Sequence, residues 1–198
     1  MRHGESVGND AGVTMGWTDC ELSDKGFEQA NKVAERLKDE KIDVIYSSDL
    51  KRASRTAEEI AKFHDCELIL DKRLREQKKG KYEGDPAKKL WDDFRASDED
   101  ILDWVPEGGE SMGVVKNRVM NFLSEIKEEN RGETVLVVSH GGALAVLSRT
   151  FCDEMKIDED INSASWKKHK HWNTSVSEYS FDGEKWNVDS INCVRHLG

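Results

Sequence analysis

The chain has 198 residues, 2 prolines, no Gly/Ser tract and no internal repeat, so residues 1–198 are expected to form a single domain with a substantial core. The formal net charge is -10 and 35% of residues are charged, which argues against a nucleic-acid or anionic-membrane partner; no apolar run approaches the roughly 20 residues of a membrane span. Cys20, Cys66, Cys152 and Cys193 are far apart and show no metal-ligand spacing, which points to reduced thiols in a cytoplasmic setting rather than a disulfide framework or a zinc site.

Residues 4–22 read as a loop punctuated by Gly4, Gly8, Gly12 and Gly16. Ser23 then caps a helix whose inward face is Phe27, Ala30, Val33, Ala34 and Leu37. Val44-Ile45-Tyr46 predicts a short buried strand that breaks at Ser47-Ser48-Asp49 into a second helix, with Leu50, Ala53, Ala57, Ile60 and Ala61 inward. Glu67–Leu70 is the next strand, followed by a basic loop from Lys72 to Gly84. Asp85 and Pro86 open a helix that buries Leu90, Trp91 and Phe94. Asp98-Glu99-Asp100 reads as a solvated loop.

Gly108-Gly109-Glu110-Ser111 leads into the longest helix, with Val115, Val119, Phe122, Leu123 and Ile126 as its buried stripe. Thr134–Val138 lacks polar alternation and is expected to be a central parallel strand covered on both faces. It ends at Ser139-His140-Gly141-Gly142, before another helix. His169-Lys170-His171 reads as an exposed polar loop, and His64 and His196 as structural. Residues 175–181 and 185–191 flank Asp182-Gly183-Glu184, a hairpin signal. The order predicts an α/β fold with a mostly parallel sheet, helices on both faces and an antiparallel edge. Ligands of such sheets bind at the carboxyl ends of the strands, where His3, Ser47-Ser48 and His140 fall.

Met1-Arg2-His3-Gly4-Glu5-Ser6, Ser47-Ser48-Asp49-Leu50-Lys51-Arg52-Ala53, Leu74-Arg75-Glu76 and Ser139-His140-Gly141-Gly142 stand in an order that resembles the histidine phosphatase superfamily, in the branch with cofactor-dependent phosphoglycerate mutase. The resemblance runs from Arg2 to the 192–197 tail. It implies a phosphoglycerate mutase-like fold and a phosphomonoester hydrolase working through a phosphohistidine. His3 is then the phosphorylated residue, Arg2, Arg52 and His140 the phosphate pocket, and Glu76 the proton donor; no metal or organic cofactor is implied.

The chemistry agrees with those residue types. An imidazole attacks phosphorus when one ring nitrogen is free and the other is held in a fixed tautomer. Phosphoryl transfer then needs cations around the equatorial oxygens, for which Arg2, Arg52 and a protonated or hydrogen-bonding His140 serve, with Asn9 as a neutral donor and Gly141 beside them. Arg75 is expected to hold its loop by a salt bridge.

Three functions stay open: a phosphatase, a mutase, and a catalytically impaired domain that binds phosphorylated ligands. The family's mutases follow their second histidine with Gly-Asn, whereas this chain has Gly141-Gly142. They also carry a longer insert with paired arginines, where residues 85–106 here hold only Arg95, and a threonine where Met15 stands. These departures favour hydrolysis. A binder has little need of Glu76. Lys78, Lys79 and Lys81 point either to a substrate whose other end is also anionic or to a balance of the neighbouring acids; phosphoserine, phosphoglycerate, a sugar bisphosphate and ribazole phosphate all stay open. The expected partners are such a small metabolite and a second copy of the chain. Family members place several apolar residues before Arg-His-Gly, where this sequence has Met1, so the first central strand is expected to be truncated.

Overall fold

A computed structural model describes residues 1–154 and 169–198. Its centre is a three-stranded parallel sheet in the order β2-β1-β3, formed by β1 (Val44–Ser47), β2 (Glu67–Leu70) and β3 (Val135–Val138). Val44 lies opposite Glu67 on one side and Val135 on the other, so all three strands end at the same edge. Alternation along β1 divides the apolar residues between two faces. Ile45 packs against α2 (Asp24–Leu37) and α3 (Lys51–Ala61) through Val33, Ala34, Leu37, Ala53, Ala57 and Ile60. Val44 and Tyr46 face α5 (Met112–Glu129) and α6 (Gly141–Glu154). Ser23 and Ser111 cap α2 and α5, accepting from Gly26 N and Val114 N. The α/β class and the two-sided helical cover are therefore as expected. Among the described residues no helix is long and apolar enough to cross a membrane.

Among the described residues, the Met1–His3 segment joins β3 to the hairpin of β4 (Val176–Phe181) and β5 (Trp186–Cys193). The Met1 ammonium donates to Val137 O at 2.6 Å, His3 N donates to Ser139 O at 3.0 Å, and Arg2 N donates to Ser175 O at 3.1 Å. The expected antiparallel edge is thus a separate two-stranded sheet, tied on through these backbone bonds rather than by a full strand. Val138 is fully buried, but Val135, Leu136 and Val137 are only half-buried, because the Met1–His3 segment reaches no further along β3 than Val137. Both faces of the strand are nevertheless packed, Val135 and Val137 against the α5–α6 cluster and Leu136 and Val138 against the α2–α3 cluster.

Other expectations shift by a residue or a turn. Phe27 is 38% exposed and Gly26 takes its inward place, since a side chain there would meet Glu5 O. The loop after Gly4 contains a single helical turn, α1 (Val7–Asp10), closed by a reciprocal Ser6–Asn9 capping box. Two 3₁₀ turns, Lys72–Leu74 and Gly80–Tyr82, structure the basic loop. Leu90 is buried in α4 (Ala87–Ser97), whereas Trp91 and Phe94 are half-buried, and Asp85 pairs with Lys89 instead of capping the helix. Residues 98–100 are exposed as expected.

Candidate active site

The carboxyl edge of the sheet brings together residues scattered over most of the chain. His3 leaves the Met1–Arg2 segment and His140 leaves β3, and their ring centroids stand 5.0 Å apart. His3 Nδ1 lies 2.6 Å from Gly4 O. A carbonyl oxygen only accepts, so Nδ1 carries the hydrogen and Nε2 keeps its lone pair. Gly4 permits the tight turn, for a Cβ there would sit 2.6 Å from Gly26 O. Its N–H donates to Thr56 Oγ1 on α3 at 3.0 Å.

His140 Nε2 is 2.8 Å from Ser48 Oγ, just beyond β1. Its Nδ1 is buried without a protein partner, and so is Arg2 Nε. Arg2 is held from the other side, with Nη1 donating to His171 O at 2.7 Å. Arg52, on α3, is 2% exposed and clamps the 14–18 loop by donating to Gly16 O (2.8 Å) and Thr18 O (3.1 Å). Burial, followed by the nearby Arg52 and Arg2 charges, holds both His3 and His140 well below the ordinary histidine pKa. Both imidazoles are therefore neutral. Of the two states open to His140 in the sequence, the structure selects the neutral hydrogen-bonding one.

Glu76 faces this cluster. Its Oε1 accepts from Gln77 N at 2.8 Å and its Oε2 from Gly142 N at 2.9 Å. Burial alone would raise its pKa, but Lys79, the two backbone N–H groups and Arg52 outweigh it and hold the carboxyl below its usual value. A side chain at residue 142 would place Cβ 2.3 Å from Glu76 Oε1, so the glycine after Gly141 is what lets the carboxylate approach α6. Asn9 stands at the margin, where its Oδ1 accepts from Ser6 N and from Asn173 Nδ2. Asn173 Nδ2 also donates to His3 O at 3.2 Å, which links Asn9 to the nucleophile.

The expected supporting residues behave differently from one another. Arg75 makes a bidentate bond to Asp49, both contacts 2.6 Å, and stacks over Trp17, as a structural residue should. His196 bonds Arg36 and Thr174. Glu110 binds Arg118 at 2.9 Å, and Arg118 in turn donates to Glu76 O at 2.9 Å, fixing the acid's backbone. The exposed loop expected at 169–171 is a correction: His169 and His171 are 7% and 1% exposed, while Lys170 alone faces solvent. The segment turns under Arg2, and His171 Nε2 bonds Ser148 Oγ at 2.9 Å, which in turn meets Tyr179 OH at 2.7 Å.

A cavity of about 370 Å³ opens beside the cluster, with Arg2, Glu76, Gly141 and Gly142 at one end and α4 at the other. Among the described residues no group of three His, Cys, Asp or Glu side chains is placed to hold a metal ion.

Residues 1–194 match the model of the histidine phosphatase superfamily, branch 1. The chain belongs to this family. It is 40% identical over 210 residues to phosphoserine phosphatase 1 of Hydrogenobacter thermophilus, covering 100% of this chain and 92% of that protein. It is 37% identical over 205 residues to phosphoglycerate mutase-like protein 4 of Arabidopsis thaliana, covering 100% and 85%. A mycobacterial glucosyl-3-phosphoglycerate phosphatase complexed with VO3 superposes with a TM-score of 0.83 at 30% identity, over 98% of this chain and 96% of that one. Within the family's pocket, sequence reasoning missed Thr56, Asn173 and the carbonyl of His171, and gave Ser48 no role beyond its strand end. Each acts across more than 50 positions of sequence, which no local pattern signals.

Proposed function

We propose that this protein hydrolyses phosphomonoesters of small metabolites through a phosphohistidine at His3, within one domain spanning residues 1–198. The observation that carries the reading is a pair of buried, unpartnered ring and guanidinium nitrogens, His140 Nδ1 and Arg2 Nε, beside a neutral imidazole whose Nδ1 is already committed to Gly4 O. Uncompensated buried polar groups are costly, and a phosphoryl group supplies the acceptors they lack. Ser48 donates its hydroxyl hydrogen to His140 Nε2, leaving a hydrogen on Nδ1 for an equatorial oxygen. Arg2, Arg52 and the first N–H groups of α6 at Gly141 add positive potential, with Asn9 as a neutral donor.

In the first half-reaction His3 Nε2 forms the N–P bond as the ester O–P bond breaks, and Glu76 gives its proton to the departing alkoxide. Glu76 takes up that proton on substrate binding, because an entering phosphate cancels part of the Lys79 and Arg52 field that keeps it ionised. In the second, water attacks phosphorus, Glu76 accepts the water's proton, and the N–P bond breaks to free phosphate and His3.

The names of the relatives support small phosphorylated metabolites such as phosphoserine as the substrate class. The same reading carries a cytoplasmic, metal-independent enzyme and a homodimer, the last checked by light scattering. Phosphoryl return to a second acceptor would make the protein a mutase; Gly141-Gly142, where the family's mutases have Gly-Asn, favours hydrolysis, and Glu76 stands where a side chain at 142 would go. The test is rapid quench with a 32P-labelled phosphomonoester. Label should appear on the protein and vanish in His3→Ala along with phosphate release, to roughly a thousandfold below the parent or less. Turnover retained in His3→Ala overturns the assignment, and transfer of label to 3-phosphoglycerate faster than to water makes it a mutase.

A further inference from the structure

The cavity beside Arg2 and Glu76 has a chemistry that phosphoryl transfer does not require. Trp91 and Phe94 on α4, Trp104, Leu90, Ile101 and Met112 form its wall. The aromatic members pack on one another, Trp91 against Phe94 at 6.1 Å and Phe94 against Trp104 at 5.4 Å. These three rings belong to neither of the two core clusters that hold the sheet. Their apolar surface is instead spent on a space of about 370 Å³, within the roughly 300–1,000 Å³ range of ligand pockets. A three-carbon hydroxy acid would leave most of this wall against water.

The cations that seemed to call for a second anion are otherwise engaged. Lys78 lies over Trp17 at 5.7 Å and Lys81 pairs with Glu107 at 3.0 Å; neither lines the cavity. Lys79 does line it, but its Nζ donates to Gln77 Oε1 and its charge acts on Glu76. Lys170, at the rim, sits over Trp172 at 4.4 Å. Once Arg2 and Glu76 are assigned to the phosphoryl group and its leaving oxygen, the apolar wall is what remains to recognise the rest of the substrate.

We infer that the leaving group is an alcohol with an aromatic or branched apolar body, seated between α4 and the start of α6. The inference rests on the hydrolytic reading above and, within the class of small phosphorylated metabolites, puts a bulkier alcohol in the place of phosphoserine. Phosphate monoesters of primary alkanols share nearly the same intrinsic reactivity, so a comparison among them isolates the contribution of the wall from that of the leaving-group oxygen.

The experiment measures kcat/KM for phenethyl phosphate, ethyl phosphate and O-phosphoserine, and follows binding of the first two to His3→Ala by calorimetry. Phenethyl phosphate should exceed both others in kcat/KM by at least about tenfold, the scale of one well-filled apolar subsite, and bind tighter than ethyl phosphate by a similar factor. Trp91→Ala and Phe94→Ala should move the phenethyl-to-ethyl ratio toward one, with circular dichroism reporting whether each folds. Equal values for phenethyl and ethyl phosphate, or a preference for O-phosphoserine, overturn the inference while leaving hydrolysis intact. If no ester is hydrolysed, the hydrolytic reading fails by itself, and the calorimetric ratio still decides what the cavity accepts.

Discussion

His140 follows a four-residue strand paired along β1 and opens the 14-residue helix α6, so its backbone is fixed before and after the ring. His3 follows two residues and precedes a four-residue helix. What the short segment lacks in ladder it recovers in cross-ties: Ser139 O, Thr56 Oγ1, Thr174 N and Asn173 Nδ2 all bond His3 or Gly4 backbone atoms. One histidine is placed by secondary structure and the other by a ring of long-range hydrogen bonds. The second arrangement is the more vulnerable, because each tie is a single contact, and a displacement of about 1 Å at a reacting atom can cost roughly a hundredfold in rate.

The largest effect expected from a change that spares both histidines is at the acid that serves them. Glu76→Gln keeps the shape but removes the proton, and should slow hydrolysis of an alkyl phosphate by about 10²–10⁴-fold, and that of p-nitrophenyl phosphate far less, since its leaving group needs little protonation. Equal losses on the two substrates would take the acid role from Glu76.

The comparison itself is broken by cutting one tie on each side. Thr56→Val leaves Gly4 N buried without an acceptor, at about 1–3 kcal/mol, and should lower both melting temperature and kcat by tenfold or more. Ser48→Ala frees the tautomer of His140 but not its backbone, so its loss of kcat should be the smaller. The reverse order would mean that the Met1–His3 segment is as firmly seated as β3.

Acid should loosen the side that His171 supports. Burial, then the Met1 ammonium, Arg2 and His169, holds His171 at a pKa of about 3, below the 6.5 of an unfolded chain. Between those values the unfolded chain binds a proton that the folded one refuses, so stability rises with pH from about 3 to about 6.5 and is flat above. The slope for this group reaches about 1.4 kcal/mol per pH unit, and melting curves from pH 4 to pH 7 measure it. His171→Gln should lessen the slope by this group's share, leaving that of His3 and His140, which burial holds down in the same way.

The smallest effect concerns the short segment before His3. A Val/Ile/Leu-rich stretch of about six residues placed before Met1 should extend pairing along Val135 and Leu136 and replace a buried amino group, whose pKa burial lowers to about 5, with an amide. Each added ladder bond is worth roughly 0.5–1.5 kcal/mol, which corresponds to a few degrees in melting temperature, with a modest gain in turnover. No change in either quantity would show that His3 is already fully fixed by its cross-ties.

His140 was readable because β3 is written as an unbroken Val/Leu run that stops just before it, whereas His3 has no such run before it and was readable only from the Arg2-His3-Gly4 motif. The helix faces were readable to within one position: Phe27 was misplaced because periodicity gives a direction, while the close passage of Glu5 that put Gly26 inward is a tertiary fact. His169 and His171 look like a polar loop in composition; only the position of Arg2, 169 residues before His171, makes them interior. Of the lysines that suggested an anion, Lys78 lies over Trp17 and Lys81 pairs with Glu107, while Lys79 reaches the cavity with its ammonium on Gln77; the sequence shows the charges but not these partners.

The wall formed by α4 and Trp104 comes from residues 87–104, whereas the groups proposed to meet phosphorus, His3, Arg52, Glu76 and His140, come from other segments of the chain. On the proposed reading, a substitution at Trp91 or Phe94 would alter which alcohol fits without touching the groups that handle the phosphate. Selectivity can drift by single steps here while reactivity stays constant, and a lineage carrying this arrangement can acquire a new substrate before it must give up the old one.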